Sequence, residues 1–182
     1  YQELAQGFEI GTRFHSGPVI RLSDAKPVQL GSAVKADGRW RLFAFADKQS
    51  PAAPTSSIHA FCDFLGNAAE SPIVKFTRPN EDVDSVFDVR GIFQQGHRAI
   101  ELNNAPSLLL PAKGRYGLRD YEKIFCPDFT SGQDIFDIRG VDRNQGCVVI
   151  VRPDQHVAHV LPLQAFNELA AFFNRFMLPA HD

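Results

Sequence analysis

Little in this chain is of the kind that redox, metal or membrane chemistry requires. It has three cysteines, Cys62, Cys126 and Cys147, and no two of them form a C-x-x-C pair. An odd, widely spaced count excludes a disulfide framework, a zinc finger and a thioredoxin-type redox pair. The three read as reduced cytosolic thiols, partly buried as small hydrophobes. No apolar run approaches the length that crosses a bilayer. No basic start followed by an apolar stretch marks a signal peptide. Charge of one sign is also missing: 19 Lys and Arg stand against 21 Asp and Glu, for a net charge of -2. That balance removes any general attraction to phosphate backbones or anionic lipid. Neither G-x-G-x-x-G, a P-loop nor a G-x-S-x-G elbow occurs, so no nucleotide loop or serine nucleophile is written here. The six histidines never fall at H-x-x-x-H or H-E-x-x-H spacing. His156 and His159 sit three apart on a predicted strand, so they point to opposite faces, and a metal site is not expected.

What the chain does have is the material of a core. Its 182 residues are 44% hydrophobic and include 16 phenylalanines. One domain of that length buries about 70% of its unfolded surface and needs no staple. The chain begins at Tyr1 rather than Met, which reads as a piece of something longer. Residues 1–26 lack a sustained period and carry Gly11, Gly17 and Pro18, so an arm lying against another surface is expected. Pro27 to Ala46 reads as a β-hairpin turning at Asp37-Gly38, with Val28 and Leu30 on the first strand and Trp40 to Ala46 on the second. A Gly38-x-Trp40 pair near a first strand also raises a small-ligand barrel, which a buried mid-chain helix around Phe61 would remove. Thr55 or Ser56 caps a helix running to Gly66, whose buried stripe is Ile58, Phe61, Cys62 and Leu65. Pro72 to Phe76 and Val86 to Phe93 read as strands, and Leu118 to Phe125 as a helical turn. Cys147 to Val151, the Pro153-Asp154 turn and Val157 to Leu161 form a hairpin. Pro162 then opens a last helix with Phe166, Leu169, Ala170, Phe173, Phe176 and Met177 on one face. A strand–helix–strand unit followed by a hairpin and a helix is thioredoxin-like topology, a mixed α/β sheet flanked by helices.

Candidate chemical groups all have plainer structural explanations. The acid pairs Asp82 with Asp84 and Asp134 with Asp137 read as solvated loop residues. Val86-Phe87-Asp88-Val89-Arg90-Gly91 is echoed by Ile135-Phe136-Asp137-Ile138-Arg139-Gly140. The echo reads as two similar strands, each with a surface Asp–Arg pair worth about 0–1 kcal/mol. Cys62 falls near the place where a thioredoxin helix carries its redox cysteines, but without a resolving thiol. A stand-alone thioredoxin-fold protein with one reactive cysteine, or with a binding role, is the alternative reading.

Several strings go further. They are Phe8-x-Ile10-Gly11-x-Arg13-Phe14-His15-Ser16-x-Pro18-Val19, Asp24-Ala25-Lys26-Pro27-Val28-Gln29-Leu30, Asp37-Gly38-Arg39-Trp40-Arg41 and Val151-Arg152-Pro153-Asp154-Gln155-x-Val157. They resemble the C-terminal domain of the phenol 2-monooxygenase family, the FAD-dependent aromatic hydroxylases. Within it, the Phe14-His15-Ser16 opening and Leu118-x-Asp120-Tyr121-Glu122 are most similar to the bacterial 3-hydroxybenzoate 4-monooxygenases. The resemblance implies a thioredoxin-like domain without redox cysteines, spanning residues 27–178 between the arm 1–26 and a tail 179–182. It implies a non-catalytic scaffold and dimerisation role in a cytoplasmic parent enzyme that uses FAD and NAD(P)H to hydroxylate phenol or 3-hydroxybenzoate. It places the flavin and substrate sites upstream, so no catalytic, cofactor-binding or metal residue is expected here. The expected partners are the upstream domains of the same chain and a second subunit, with neither nucleic acid nor membrane. Phe8, Phe14, Arg152, Asp154 and Gln155 are the candidate interface residues, because aromatic residues and Arg gather where surfaces dock.

Overall fold

A computed structural model describes residues 1–180. In chain order they form β1 (Pro18–Arg21), β2 (Lys26–Gln29), β3 (Trp40–Phe45), α1 (Ser57–Asn67), α2 (Pro72–Phe76), β4 (Phe87–Ile92), β5 (Ala112–Lys113) and β6 (Leu118–Arg119). Then follow β7 (Ile124–Pro127), α3 (Ile135–Ile138), β8 (Cys147–Val151), β9 (Val157–Leu161) and α4 (Phe166–Asn174). Seven strands make one sheet in the order β2-β1-β7-β4-β3-β8-β9, and β5 pairs with β6 in a separate hairpin. β4 runs parallel to both β3 and β7, and the other pairings are antiparallel. The unit β3–α1–β4 followed by the β8–β9 hairpin and α4 is the expected thioredoxin-like core.

Strand alternation sorts the apolar residues into two cores, one on each face of the sheet. Leu42 and Ala44 of β3, Phe87 and Val89 of β4, and Val148 and Ile150 of β8 meet Ile58, Phe61, Cys62 and Leu65 of α1 and Leu169 and Phe173 of α4. Phe43 and Phe45, Ile92, Cys147, Val149 and Val151 face the other way. They meet Leu4, Phe8, Leu30, Ile135 and Phe136. The α1 stripe is as the spacing predicts, and Ser56 caps the helix by accepting from the His59 N–H at 3.3 Å. Phe61 packed in the core removes the barrel reading.

Several expectations need correction. The extra hairpin is made by β1 and β2, paired from Pro18↔Gln29 to Arg21↔Lys26. The strands flanking Asp37-Gly38 do not pair with each other, because β3 lies between β4 and β8. Leu30–Ala33 coils into a 3-10 turn, and the Asp37 carboxylate is taken by Arg39 and Arg41 rather than by a strand partner. The segment 1–26, expected as an arm lying against another surface, supplies β1 to the sheet and buries Ala5 and Phe8. Of the expected tail, residues 181–182 lie outside the described residues. Pro72–Phe76 is a helix, since Ser71 accepts from the Ile73 N–H and Pro72 suits the first turn. Leu118 to Phe125 contributes β6 and the start of β7, not a helical turn. α4 begins at Phe166, after a turn at Pro162.

The internal echo adopts two different structures. Phe87–Gly91 lies in β4, whereas Ile135–Ile138 is α3. Asp134 decides the second case: its carboxylate accepts from the Phe136 and Asp137 N–H groups at 2.9 and 3.2 Å. Gly140, at φ 54°, then takes the left-handed conformation in which such helices end. Asp134 is therefore a buried cap and not a solvated loop residue. Replacing it (Asp134→Ala) is expected to lower unfolding stability by about 1–2 kcal/mol, read as a shifted urea midpoint at unchanged slope.

Candidate functional site

Where β3, β4 and β7 begin, the face that carries Phe43 and Ile92 turns from apolar to charged. Arg41 stands directly across from Asp88 in the parallel register, and Phe43 across from Arg90. Lys123 enters just before β7. Asp88 is 0% exposed and Lys123 1%. The Asp88 carboxylate faces Arg90 Nε at 2.9 Å, Arg41 Nε at 3.1 Å and the Lys123 ammonium. Lys123 also reaches Asp84 at 2.6 Å, which in turn pairs with Arg39 and Lys113, each at 3.0 Å. Arg41 continues to Asp37 at 2.6 Å and donates to the Lys35 carbonyl.

Burial alone would raise the Asp88 carboxyl, but the charges of Arg90 and Lys123 outweigh it and hold the group at about 2. Asp84 is likewise pulled below the carboxylate range: its burial is outweighed by Lys123 and Lys113. These are ionised, pinned groups, unsuited to proton transfer near neutral pH. The solvated reading of Asp84 and the surface reading of the Asp88–Arg90 pair are both wrong, because both carboxylates are buried and multiply paired. A usable signal was present. Asp88 and Arg90 sit two apart inside an otherwise apolar strand and so share one face.

Beside this cluster lies a cavity of about 190 Å³. Phe14, Val34, Lys35, Arg41, Arg152 and Gln155 are among its lining residues. The walls are ordered by aromatic stacking: Phe14 lies 4.4 Å from Phe43 and 4.9 Å from Phe8, both nearly parallel. Its rim is the turn between β8 and β9. There the Gln155 N–H donates to the Arg152 carbonyl at 2.8 Å, and the Asp154 carboxylate accepts from the Arg152 guanidinium. Gln155 adopts φ 68°, fixed from both sides. Its carbonyl accepts from the Phe14 N–H at 2.8 Å, and its side-chain oxygen accepts from Arg13 Nη2 at 3.2 Å. The N-terminal segment is thus laced to the turn.

Phe14, Arg152 and Gln155 therefore converge on one cavity, with Asp154 half-exposed at its edge. Phe8 does not reach the surface; at 1% exposure it backs Phe14 from below. The thiols are equally withdrawn. Cys62, Cys126 and Cys147 are buried, and burial pushes each thiol up, Cys126 to about 12. A reactive thiolate needs the opposite shift.

The family described as "Phenol hydroxylase, C-terminal dimerisation domain" matches residues 1–181. A 3-hydroxybenzoate 4-monooxygenase of Comamonas testosteroni is 54% identical over 178 residues, 97% of this chain and 28% of that protein. An FAD-dependent monooxygenase of Aspergillus terreus is 33% identical over 180 residues, 97% of this chain and 29% of that protein. The chain thus spans less than a third of the length of these relatives. Among solved structures, the thioredoxin domain of a thiol-disulfide oxidoreductase from Bacteroides vulgatus superposes with TM-score 0.51 at 10% identity, covering 93% of this chain and 99% of that one. A thiol:disulfide interchange protein from a Bacteroides species gives TM-score 0.50 at 11% identity, with 92% of each chain covered. At such identity the likeness shows the thioredoxin-like fold alone.

Removing one partner of the buried pair (Lys123→Met or Asp88→Asn) is expected to cost about 3–5 kcal/mol in urea unfolding, since the other charges remain buried. The carboxyl of Asp88 is depressed in the folded state. Its stabilisation is therefore full above about pH 4 and is lost as pH falls toward 2. Unfolding midpoints taken between pH 5 and 2 should fall steeply for the wild type and more gently for Asp88→Asn.

Proposed function

Because this chain belongs to the family of phenol hydroxylase C-terminal dimerisation domains, we propose that it is the non-catalytic scaffold and dimerisation domain of an FAD-dependent aromatic hydroxylase. The carrying observation is a thioredoxin-like core whose thiols are all buried, while the loop before α1 runs Pro51 to Ser56 without a cysteine. Such a core can hold surfaces in place, but it presents no thiolate for exchange. The stand-alone thiol-protein reading is not favoured, since Cys62 sits inside α1 against the core.

In this reading the parent protein consumes NAD(P)H and oxygen to hydroxylate phenol or 3-hydroxybenzoate. The substrate class follows the similarity to the Comamonas testosteroni enzyme. FAD supplies the oxygen-activating chemistry. The sequence holds no Gly-rich loop of the kind that opens a helix after a strand and cradles a dinucleotide. No step is therefore assigned to residues here. The cavity rim built by Phe14, Arg152, Asp154 and Gln155 contacts the upstream domains, and the assembled protein is a cytoplasmic homodimer. Three reduced, buried thiols agree with that compartment. Among the described residues no helix is long and apolar enough to cross a membrane.

The full-length protein containing this chain is expected to be yellow from bound flavin and to oxidise NAD(P)H when given phenol or 3-hydroxybenzoate. It should show no insulin-reducing activity with dithiothreitol above background. Replacing Cys62 with Ala should leave hydroxylation unchanged. A colourless protein, or disulfide reductase activity lost in the Cys62 variant, would overturn the proposal.

A further inference from the structure

The cavity under the β8–β9 turn has a chemistry that a scaffold role leaves unused. The charged side chains that line it are Lys35, Arg39, Arg41 and Arg152, and all four are cations. Arg41 is 4% exposed, and its Nε, 3.1 Å from the Asp88 carboxylate, makes no hydrogen bond. Arg152 is matched by Asp154. The counter-ions of the rest do not balance them. The connected ion-pair network behind the cavity holds five cations, Arg39, Arg41, Arg90, Lys113 and Lys123. Against them stand four carboxylates, Asp37, Asp84, Asp88 and Asp120. Asp37 is ionised like Asp84 and Asp88: its burial is outweighed by hydrogen bonds from Arg39 and Arg41. One positive charge is left over. Lys35 adds a second, since it is exposed at the cavity and forms no ion pair among the described residues. Surplus charge in a part-buried setting is costly until an anion meets it.

The remaining walls are apolar and flat. The Phe14 ring stacks on Phe43 at 4.4 Å, and Val34 and Pro153 complete this side. The volume is about 190 Å³. A dry cavity of about 150 Å³ takes benzene, so one ring with one carboxylate fits here and a nucleotide does not. Apolar walls with a few placed polar groups are also how proteins orient small ligands.

We infer that this cavity binds a single-ring carboxylate, a benzoate-like anion. The ring lies in the slot walled by Phe14 and Val34, and the carboxylate meets Lys35 in the field of Arg39 and Arg41. The rim above the site is the surface given to the upstream domains in the reading above. The inference goes beyond that reading, because a scaffold needs no ligand, and its failure leaves the flavin and hydroxylation tests untouched.

The test reads the site itself in the full-length protein. Its lysines are dimethylated with isotope-labelled formaldehyde, which keeps their charge, and the Lys35 signal is the one missing from Lys35→Arg. Benzoate is expected to shift that signal to saturation with a Kd below about 1 mM. Benzamide, the uncharged ring, should bind at least about tenfold more weakly, since it lacks the charge-assisted contact. Acetate should leave the signal unmoved at the same concentrations. Ser32 is exposed and lines the cavity, so Ser32→Asp sets a competing carboxylate there. It should weaken benzoate about tenfold or more at an unchanged urea midpoint. A benzoate shift that survives Ser32→Asp arises at another site and overturns the assignment. Benzamide binding as tightly as benzoate removes anion recognition, and an equal response to acetate reduces it to loose ion pairing at Lys35. No saturation by about 10 mM removes the site. So does a Lys35 that takes no label, because the upstream domains then already cover the cavity.

Discussion

Asp88 is a charge with no access to water, and the architecture around it is arranged to keep it paired. Its carboxylate is met by Arg41 from the neighbouring parallel strand, Arg90 from its own strand and Lys123 from the lead into β7. Three strands that come together from distant parts of the chain thus share one electrostatic knot. Burial of this kind adds little net stability compared with an apolar replacement, but it punishes any arrangement that leaves one partner alone. Registers that would slide β4 against β3 separate Arg41 from Asp88. The cluster thereby acts as a positional lock and not as an acid–base device.

The same knot lies between two features of the domain's surface. On one side Arg41 passes to the cavity rimmed by the Arg152–Gln155 turn. On the other, Asp84 and Lys113 pass to the exposed hairpin. The thioredoxin-like fold is shared with the thioredoxin domain of a thiol-disulfide oxidoreductase. Where that protein works through thiols, this chain has proline and capping residues before α1, and its cysteines fill core space.

Much of the fold was legible because the relevant signals are local. The α1 stripe, the β8–β9 hairpin and the apolar face of α4 all follow from spacing, and together they imply the thioredoxin-like core. What was illegible depends on partners far away in the chain. Asp37-Gly38 has the chemistry of a hairpin turn, but β3 finds better partners in β4 and β8. The two hexapeptides around Asp88 and Asp137 differ little in sequence. One becomes a central strand because parallel neighbours flank it, the other a helix because Asp134 caps it. Of the candidate surface residues, Phe14, Arg152 and Gln155 do come together, whereas Phe8 could not be separated from Phe14 without knowing which ring lies underneath. The charge cluster was missed because each member, taken singly, resembles an ordinary surface ion.

The place of β1 has a consequence for how the domain is made. Val19 and Ile20 are synthesised well before their sheet partners, Pro127 and Cys126. At about 5–20 residues per second, the first strand waits on the order of 5–20 s for β7 to be synthesised. During that interval the β1–β2 hairpin must stand with one edge unfilled, and an unfilled edge invites other chains. Pro27 and the exposed charge of Lys26 lie on β2, the edge that stays open in the finished sheet, and are suited to limiting pairing there.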